Sequence, residues 1–172
     1  MNSQQHFEAL YAQHASAIKG YAVRRIGPTR ADDMVAEVFL IAWRRLDQVP
    51  AEPRPWLFGV AMRVLANERR RAARYDAALG RLEPAAATLD PAESSLLASG
   101  PVQQALRDLS DSDREALLLT AWEGLSHREA ALALGVKEAT FTVRLHRAKR
   151  RLGRAIKHGP PARTTQTRLE TP

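Results

Sequence analysis

Residues 125–152, LSHREAALALGVKEATFTVRLHRAKRRL, admit little besides two helices joined by a tight turn. Over Ser126–Leu134 the apolar residues Ala130, Ala131 and Leu134 recur at helical spacing. Gly135 then stops the helix, because a residue without Cβ takes the left-handed conformation at low cost. Phe141, Leu145, Ala148 and Leu152 follow at i, i+4, i+7 and i+11, one stripe on one helix face. Val143, His146, Arg147, Arg150 and Arg154 fall on the opposite side. A short helix, a glycine turn and a second helix with a basic outer face is the layout of a helix-turn-helix that enters a major groove. An amphipathic hairpin with a merely solvated face would mix its charge signs to gain i,i+4 pairs. From Lys137 to Lys157 there are eight Lys/Arg and one acid, Glu138. That imbalance favours a nucleic-acid partner.

The charge distribution along the chain supports the same partner. The 172 residues carry a formal net charge of +7. Arg63, Arg69, Arg70, Arg71 and Arg74 form a second basic cluster. Between the two clusters, Tyr75–Gly100 carries Asp76, Glu83, Asp90 and Glu93 against Arg81 alone. Two basic patches separated by an acidic spacer are more specific than a high isoelectric point.

The pattern predicts an all-α chain of two small helical domains joined by a flexible acidic linker. The first domain is expected over 1–75, the linker over 76–100, the second domain over 101–157 and a disordered tail over 158–172. Phe7, Leu10, Tyr11, Ile18 and Tyr21 lie near one face of a first helix that ends before Gly27-Pro28. Thr29 or Asp32 is the expected cap of the next helix, whose buried stripe is Val35, Val38, Phe39, Ala42 and Leu46. QVPAEPRP, residues 48–55, holds three prolines and cannot be helical throughout. Trp56 is expected to open a helix running to about Arg74, with Leu57, Val60, Ala61, Val64 and Leu65 for a core. The acidic stretch lacks periodicity, apart from a helical turn expected at 92–98.

Several kinds of chemistry find no support. There are no cysteines, which excludes disulfides and thiol catalysis. No pair among the five histidines has metal-ligand spacing with a neighbouring acid, and no phosphate-binding glycine loop occurs. Asp32-Asp33 at a helix start is explained by the helix dipole. The expectation is a non-enzymatic protein with no metal and no cofactor. No apolar run approaches the roughly 18 residues of a membrane-spanning helix. The N-terminus lacks the basic and apolar regions of a signal peptide. The expected protein is soluble and cytoplasmic, without membrane insertion.

These segments together resemble an extracytoplasmic-function (ECF) sigma factor of bacterial RNA polymerase. DDMVAEVFLIAWRRLD is similar to the family's region 2 helix, D-L-V-Q-E-x-F-x-x-x-W. PWLFGVAMRVLANERRR is similar to the part that follows, W-L-x-x-I-A-x-N. The stretch from Val102 to Leu152 resembles region 4, with its L-P-x-x-x-R-E, E-G-x-S-x-x-E-I-A and G-T-V-K-S-R-L-H-R-A-R segments. The chain departs from the pattern at Ala36, where the family has Gln. It departs again at Lys137, which replaces a Ser or Thr N-cap, leaving Thr140 as the alternative cap. Ala139–Val143 stands for G-T-V-K-S, so the promoter sequence does not carry over.

The resemblance implies a two-domain fold without catalytic activity that loads core RNA polymerase onto promoter DNA and helps open it, and an anti-sigma factor as a further partner. The face bearing Asp33, Ala36, Glu37, Leu40 and Arg44 is implied to bind polymerase. An exposed Leu40 between acids fits a docking surface better than a solvated face. Arg63, Asn67, Arg70 and Arg71 are the candidates for holding the unstacked −10 strand. In the recognition helix, Thr142, Val143, His146 and Arg147 match base-facing positions of the −35 element. Thr140, Arg144, Lys149 and Arg150 are the expected phosphate contacts. Two other readings compete. One is a helix-turn-helix regulator with an N-terminal dimerisation or sensing domain, which has no use for the DDMVAEVF and WLFGVA segments. The other is a basic RNA-binding protein, disfavoured by the lack of a stacking aromatic cluster.

Overall fold

The computed structural model describes residues 2–78 and 101–158, and these form seven α-helices without a strand among them. The expected turn at 92–98 and the stretches 79–100 and 159–172 lie outside the described residues.

Three helices build the first unit: α1 (Ser3–Ile26), α2 (Pro28–Arg44) and α3 (Pro53–Ala78). Asn2 caps α1 by accepting from the Gln5 N–H at 2.8 Å, while the Gln5 side chain accepts from the Asn2 N–H at 3.2 Å. This reciprocal box satisfies two of the helix's otherwise free donors. Gly27, at φ 78°, ends α1 and hands the chain directly to Pro28. The expected side-chain cap at Thr29 or Asp32 does not occur. Proline lacks the N–H that a cap would satisfy and already holds the helical φ, so α2 begins on it. Likewise α3 begins at Pro53, three residues before Trp56, because Pro53 and Pro55 both sit in its first turn. A single 3-10 turn, Leu46–Gln48, fills the space between α2 and α3.

The stripe Val35, Val38, Phe39 and Ala42 is buried against Leu10, Ile18 and Tyr21 of α1 and Leu57, Phe58, Ala61 and Val64 of α3. Tyr11 stands at the rim, 45 % exposed, with its ring 4.7 Å from that of Phe39.

The second unit holds α4 (Pro101–Arg107), α5 (Asp111–Ala121), α6 (His127–Leu134) and α7 (Glu138–His158). Ser110 caps α5 through the Asp113 N–H at 3.3 Å. Arg114 donates to the carbonyls of Leu106 and Leu109 at 3.0 and 3.1 Å, satisfying acceptors where α4 ends. Ser126 and Glu129 form a second capping box at the start of α6. Gly135, at φ 66° and ψ 32°, closes α6 in the left-handed conformation, and α7 starts three residues on. Thr140 therefore lies inside the first turn of α7 and does not cap it. Phe141, Leu145 and Ala148 are buried under α7. Truncating Phe141 to alanine would cost about 3–5 kcal/mol, since the cavity could not fully collapse.

The two units pack against one another. Gly59 of α3 meets Ala133 of α6 so closely that a Cβ at position 59 would stand 2.9 Å from the Ala133 carbonyl oxygen. The sequence pattern predicts a flexible linker between the two units and does not itself indicate this contact.

Candidate nucleic-acid and polymerase interfaces

The recognition helix divides by exposure as its sequence pattern demands. Thr140, Thr142, Val143, His146, Arg147, Lys149 and Arg150 are exposed and Arg144 is half-buried. Val143 stands out at 50 % exposure, although it is apolar. An apolar side chain held in water between cations suits contact with a thymine methyl. The helical rotation sets Arg150 and Val143 outermost, directly opposite Phe141 and Ala148.

The two flanks of α7 differ. On one flank, Thr142 shares a hydrogen bond with the Nδ1 of His127 at 3.2 Å, tying the recognition helix to the start of α6. On the other, Thr140, Arg144, Arg147 and Arg151 line a concave surface floored by Asp113. Asp113 is buried and accepts a charge-assisted hydrogen bond from Arg151. Arg151, which the sequence reading left out of the interface, is thereby anchored.

On α3, Arg63, Asn67, Arg70 and Arg71 are exposed, and Arg70 donates to the Asn67 side-chain oxygen. Arg63, Asn67 and Arg70 line a cleft of about 720 Å³ together with Arg45, Trp56 and the α6 segment Leu132–Gly135. Arg71 is outside this cleft. The half-buried Trp56 at its base offers the flat surface on which a nucleobase can stack.

On α2, Asp33, Ala36, Glu37, Leu40 and Arg44 are all exposed, with Leu40 at 47 %. Trp43 stands beside this face at 45 % exposure, its neighbour Phe7 packed edge-on at 5.1 Å between centroids. The apolar part of the face is thus wider than the sequence stripe alone indicates.

A third set of charges, absent from the sequence reading, joins the two units. Arg25 of α1 is 3 % exposed; it donates to Glu115 of α5 at 2.9 Å and to Glu123 at 3.0 Å. Its guanidinium also lies 3.6 Å from the centre of the Tyr21 ring, a cation–π contact. Burial opposes the charge on Arg25, but the neighbouring Tyr21, Glu115 and Glu123 outweigh it and raise the pKa. Burial likewise pushes the Tyr21 hydroxyl far up. Arg24 pairs with Glu123 too, and Arg54 donates to the Glu123 carbonyl and lies 3.6 Å from Glu129. Accepting the Ser126 N–H holds the Glu129 carboxyl below its usual range, and Arg54 adds to this against the opposing effect of burial. The signal for Arg25 was present in the sequence. It continues the buried series Leu10, His14, Ile18 and Tyr21 at helical spacing, so a cation occupies a core position.

Among the described residues there is no cluster of three or more metal-ligating side chains, and no helix long and apolar enough to cross a membrane.

A two-unit helical chain with a basic helix-turn-helix in its second unit has the form of a sigma-type transcription factor, and comparison with known proteins bears this out. The family model described as Sigma-70 region 2 matches residues 10–75, and that described as Sigma-70, region 4 matches residues 99–152. The ECF RNA polymerase sigma factor SigL of Mycobacterium tuberculosis is 34% identical over 152 residues, spanning 84% of this chain and 85% of SigL. The structure of CnrH in complex with the cytosolic domain of CnrY matches with a TM-score of 0.62 at 28% identity, covering 91% of each chain. The sigma factor RpoE, solved with the anti-sigma factor NepR from Bartonella quintana, shares the fold with a TM-score of 0.68 at 24% identity, over 90% of this chain and 98% of that one. The chain belongs to the ECF RNA polymerase sigma factors. Its function is to direct RNA polymerase to promoters. A helix-turn-helix regulator with an unrelated N-terminal domain is not favoured, because region 2 occupies that half.

Proposed function

We propose that three exposed faces divide the work of initiation. The α2 face of Asp33, Ala36, Glu37, Leu40 and Arg44 docks on core polymerase, where its acids complement a basic partner and its leucine is desolvated. The α3 face of Arg63, Asn67, Arg70 and Arg71 holds the −10 strand once unstacked, the cations tracking phosphates. The α7 face reads the −35 element, with Thr142, Val143, His146 and Arg147 toward the bases and Thr140, Arg144, Lys149 and Arg150 on phosphates. The two domains correspond to the expected 1–75 and 101–157, extended to Ala78 by the end of α3 and to His158 by the end of α7, with 79–100 linking them. The chain acts without catalysis of its own, in the cytoplasm, and under an anti-sigma factor, a partner of the kind with which the RpoE of Bartonella quintana was solved.

The observation that carries this reading is the one-sided α7. Phe141, Leu145 and Ala148 are buried, and the opposite face carries the exposed Arg147, Lys149, Arg150 and Arg154 around an exposed Val143. The test is promoter-specific transcript formation by core polymerase with and without the purified chain. Transcripts starting at defined sites only when the chain is present support it. Equal transcription in both reactions opposes it.

A further inference from the structure

The hydroxyl of a helical threonine has a ready acceptor in the backbone carbonyl three or four residues back. Thr120 of α5 uses it, donating to the carbonyls of Ala116 and Leu117 at 3.1 and 3.0 Å. Thr142 of α7 does not. Among the described residues its hydroxyl makes no backbone bond and instead meets the Nδ1 of His127 at 3.2 Å. The two side chains belong to different helices of the helix-turn-helix, fifteen positions apart.

His127 is itself held from below. Its ring stands edge-on to that of Phe141, with centroids 5.8 Å apart and planes at 63°. Phe141 is fully buried, so it offers a fixed surface. The imidazole rests on the core of the second unit while its polar edge reaches α7. A helical threonine divides between two rotamers, one of which turns the hydroxyl onto its own backbone. The bond to His127 selects the other. Whichever atom donates, Oγ1 is drawn toward α6, and the methyl on the same Cβ is set with it.

By helical rotation Thr142 shares a flank with His146 and Lys149, and all three are exposed. A threonine hydroxyl can bond a base edge, whereas a threonine methyl packs on the thymine methyl. Which of the two groups faces the groove therefore decides which base is favoured. We propose that His127 is a positioning residue for −35 recognition: it selects the Thr142 rotamer and so sets the base preferred opposite Thr142. The proposal rests on the reading of Thr142 as a base-facing residue.

The experiment is binding of the holoenzyme to a library of single-base variants of the −35 element, taken from a promoter that it opens. Thr142→Val keeps the shape of the side chain and removes the hydroxyl. His127→Phe keeps an aromatic ring beside Phe141 and removes the hydrogen bond. His127→Asn keeps a polar atom at the δ position of the side chain. A fourth protein combines Thr142→Val with His127→Phe.

The expected result is that Thr142→Val and His127→Phe each weaken the preference about fivefold at the same single base position, the worth of one neutral hydrogen bond. The combined variant should lose no more than either alone, as two members of one interaction do. His127→Asn should keep the wild-type preference. A change at one base position in Thr142→Val with none in His127→Phe would overturn the positioning role and leave Thr142 as a base contact. A wild-type profile in Thr142→Val would overturn it by removing the base contact on which it rests. An equal loss at every position in His127→Phe would overturn it as well, because His127 would then support affinity alone. So would the same loss in His127→Asn as in His127→Phe, because ring packing and not the hydrogen bond would then be at work.

Discussion

Arg25 and Glu123, ninety-eight positions apart in sequence, form an ion pair of 3.0 Å with both side chains 2 % exposed. Removing Arg25 leaves Glu123 buried with one cation, Arg24, where it had two, and takes from Glu115 its buried partner. Arg25→Met should therefore destabilise the docked protein by up to about 3–5 kcal/mol, limited by whatever it costs to open the units and hydrate Glu123. Arg25→Met combined with Glu123→Leu should recover most of the loss. A double-mutant cycle by urea denaturation reads the coupling. Strictly additive effects would mean that the two side chains do not share one buried pair.

His14 is buried in the first unit, and among the described residues its Nε2 has no hydrogen-bond partner. Burial, and secondarily the charge of Arg54, lower its pKa below the ordinary 6.5. The unfolded chain then takes up a proton at higher pH than the folded chain does. Stability is full above pH 6.5, declines as pH falls from there toward the lowered folded value, and is level below it. His14→Leu should remove this decline. Urea midpoints at about pH 7.5 and about pH 5.5 make the comparison. An identical pH slope in wild type and variant would assign the decline to other groups.

Ser126 accepts from the Glu129 N–H at 3.2 Å, and its own N–H donates to the Glu129 carboxylate at 2.8 Å. Ser126→Ala should cost about 1 kcal/mol. Because α6 positions the turn before the recognition helix, the same variant should weaken −35 binding without altering which bases are preferred. Thermal unfolding and promoter anisotropy together test this, and a changed base preference would speak against it.

Reversing charge at Asp33 and Glu37 should weaken binding to core polymerase while leaving helicity intact, since both side chains are exposed. Fluorescence anisotropy with core enzyme is the measurement. Unchanged affinity in the double variant would remove this face from the interface.

How much of this was legible in the sequence depended on whether the determinants were local. The α7 stripe and the Gly135 stop were readable because helical period and left-handed φ are properties of a few consecutive residues. The start of α2 differs from the expected one because Pro28 takes the place of a side-chain cap, and that of α3 because Pro53 and Pro55 are tolerated in a helix's first turn. The named residues of α2, α3 and α7 are exposed, apart from the half-buried Arg144, because an amphipathic helix fixes both its sides at once. Arg25 was passed over since a cation on a buried stripe makes sense only with its partners, and these lie ninety residues and more away. The same holds for Arg151, whose anchor Asp113 belongs to another helix, and for Gly59, whose neighbour is a backbone carbonyl of the second unit.

α7 is the helix proposed to read promoter DNA, and base-by-base binding separates its base contacts from its phosphate contacts. Arg147 lies one turn beyond Val143 on the flank shared with Thr140 and Arg144, whereas Arg150 stands outermost. The measurement is binding of the holoenzyme to a library of single-base −35 variants at two or more salt concentrations. Arg147→Ala should lower affinity for the preferred sequence by about 1–3 kcal/mol and relax the preference at one base position. Arg150→Ala should weaken every sequence about equally and reduce the salt slope by about one unit. A uniform shift for Arg147→Ala would make Arg147 a phosphate contact and rotate the helix in its groove. Wild-type behaviour in both variants would mean that the basic face of α7 is merely solvated, contradicting the account.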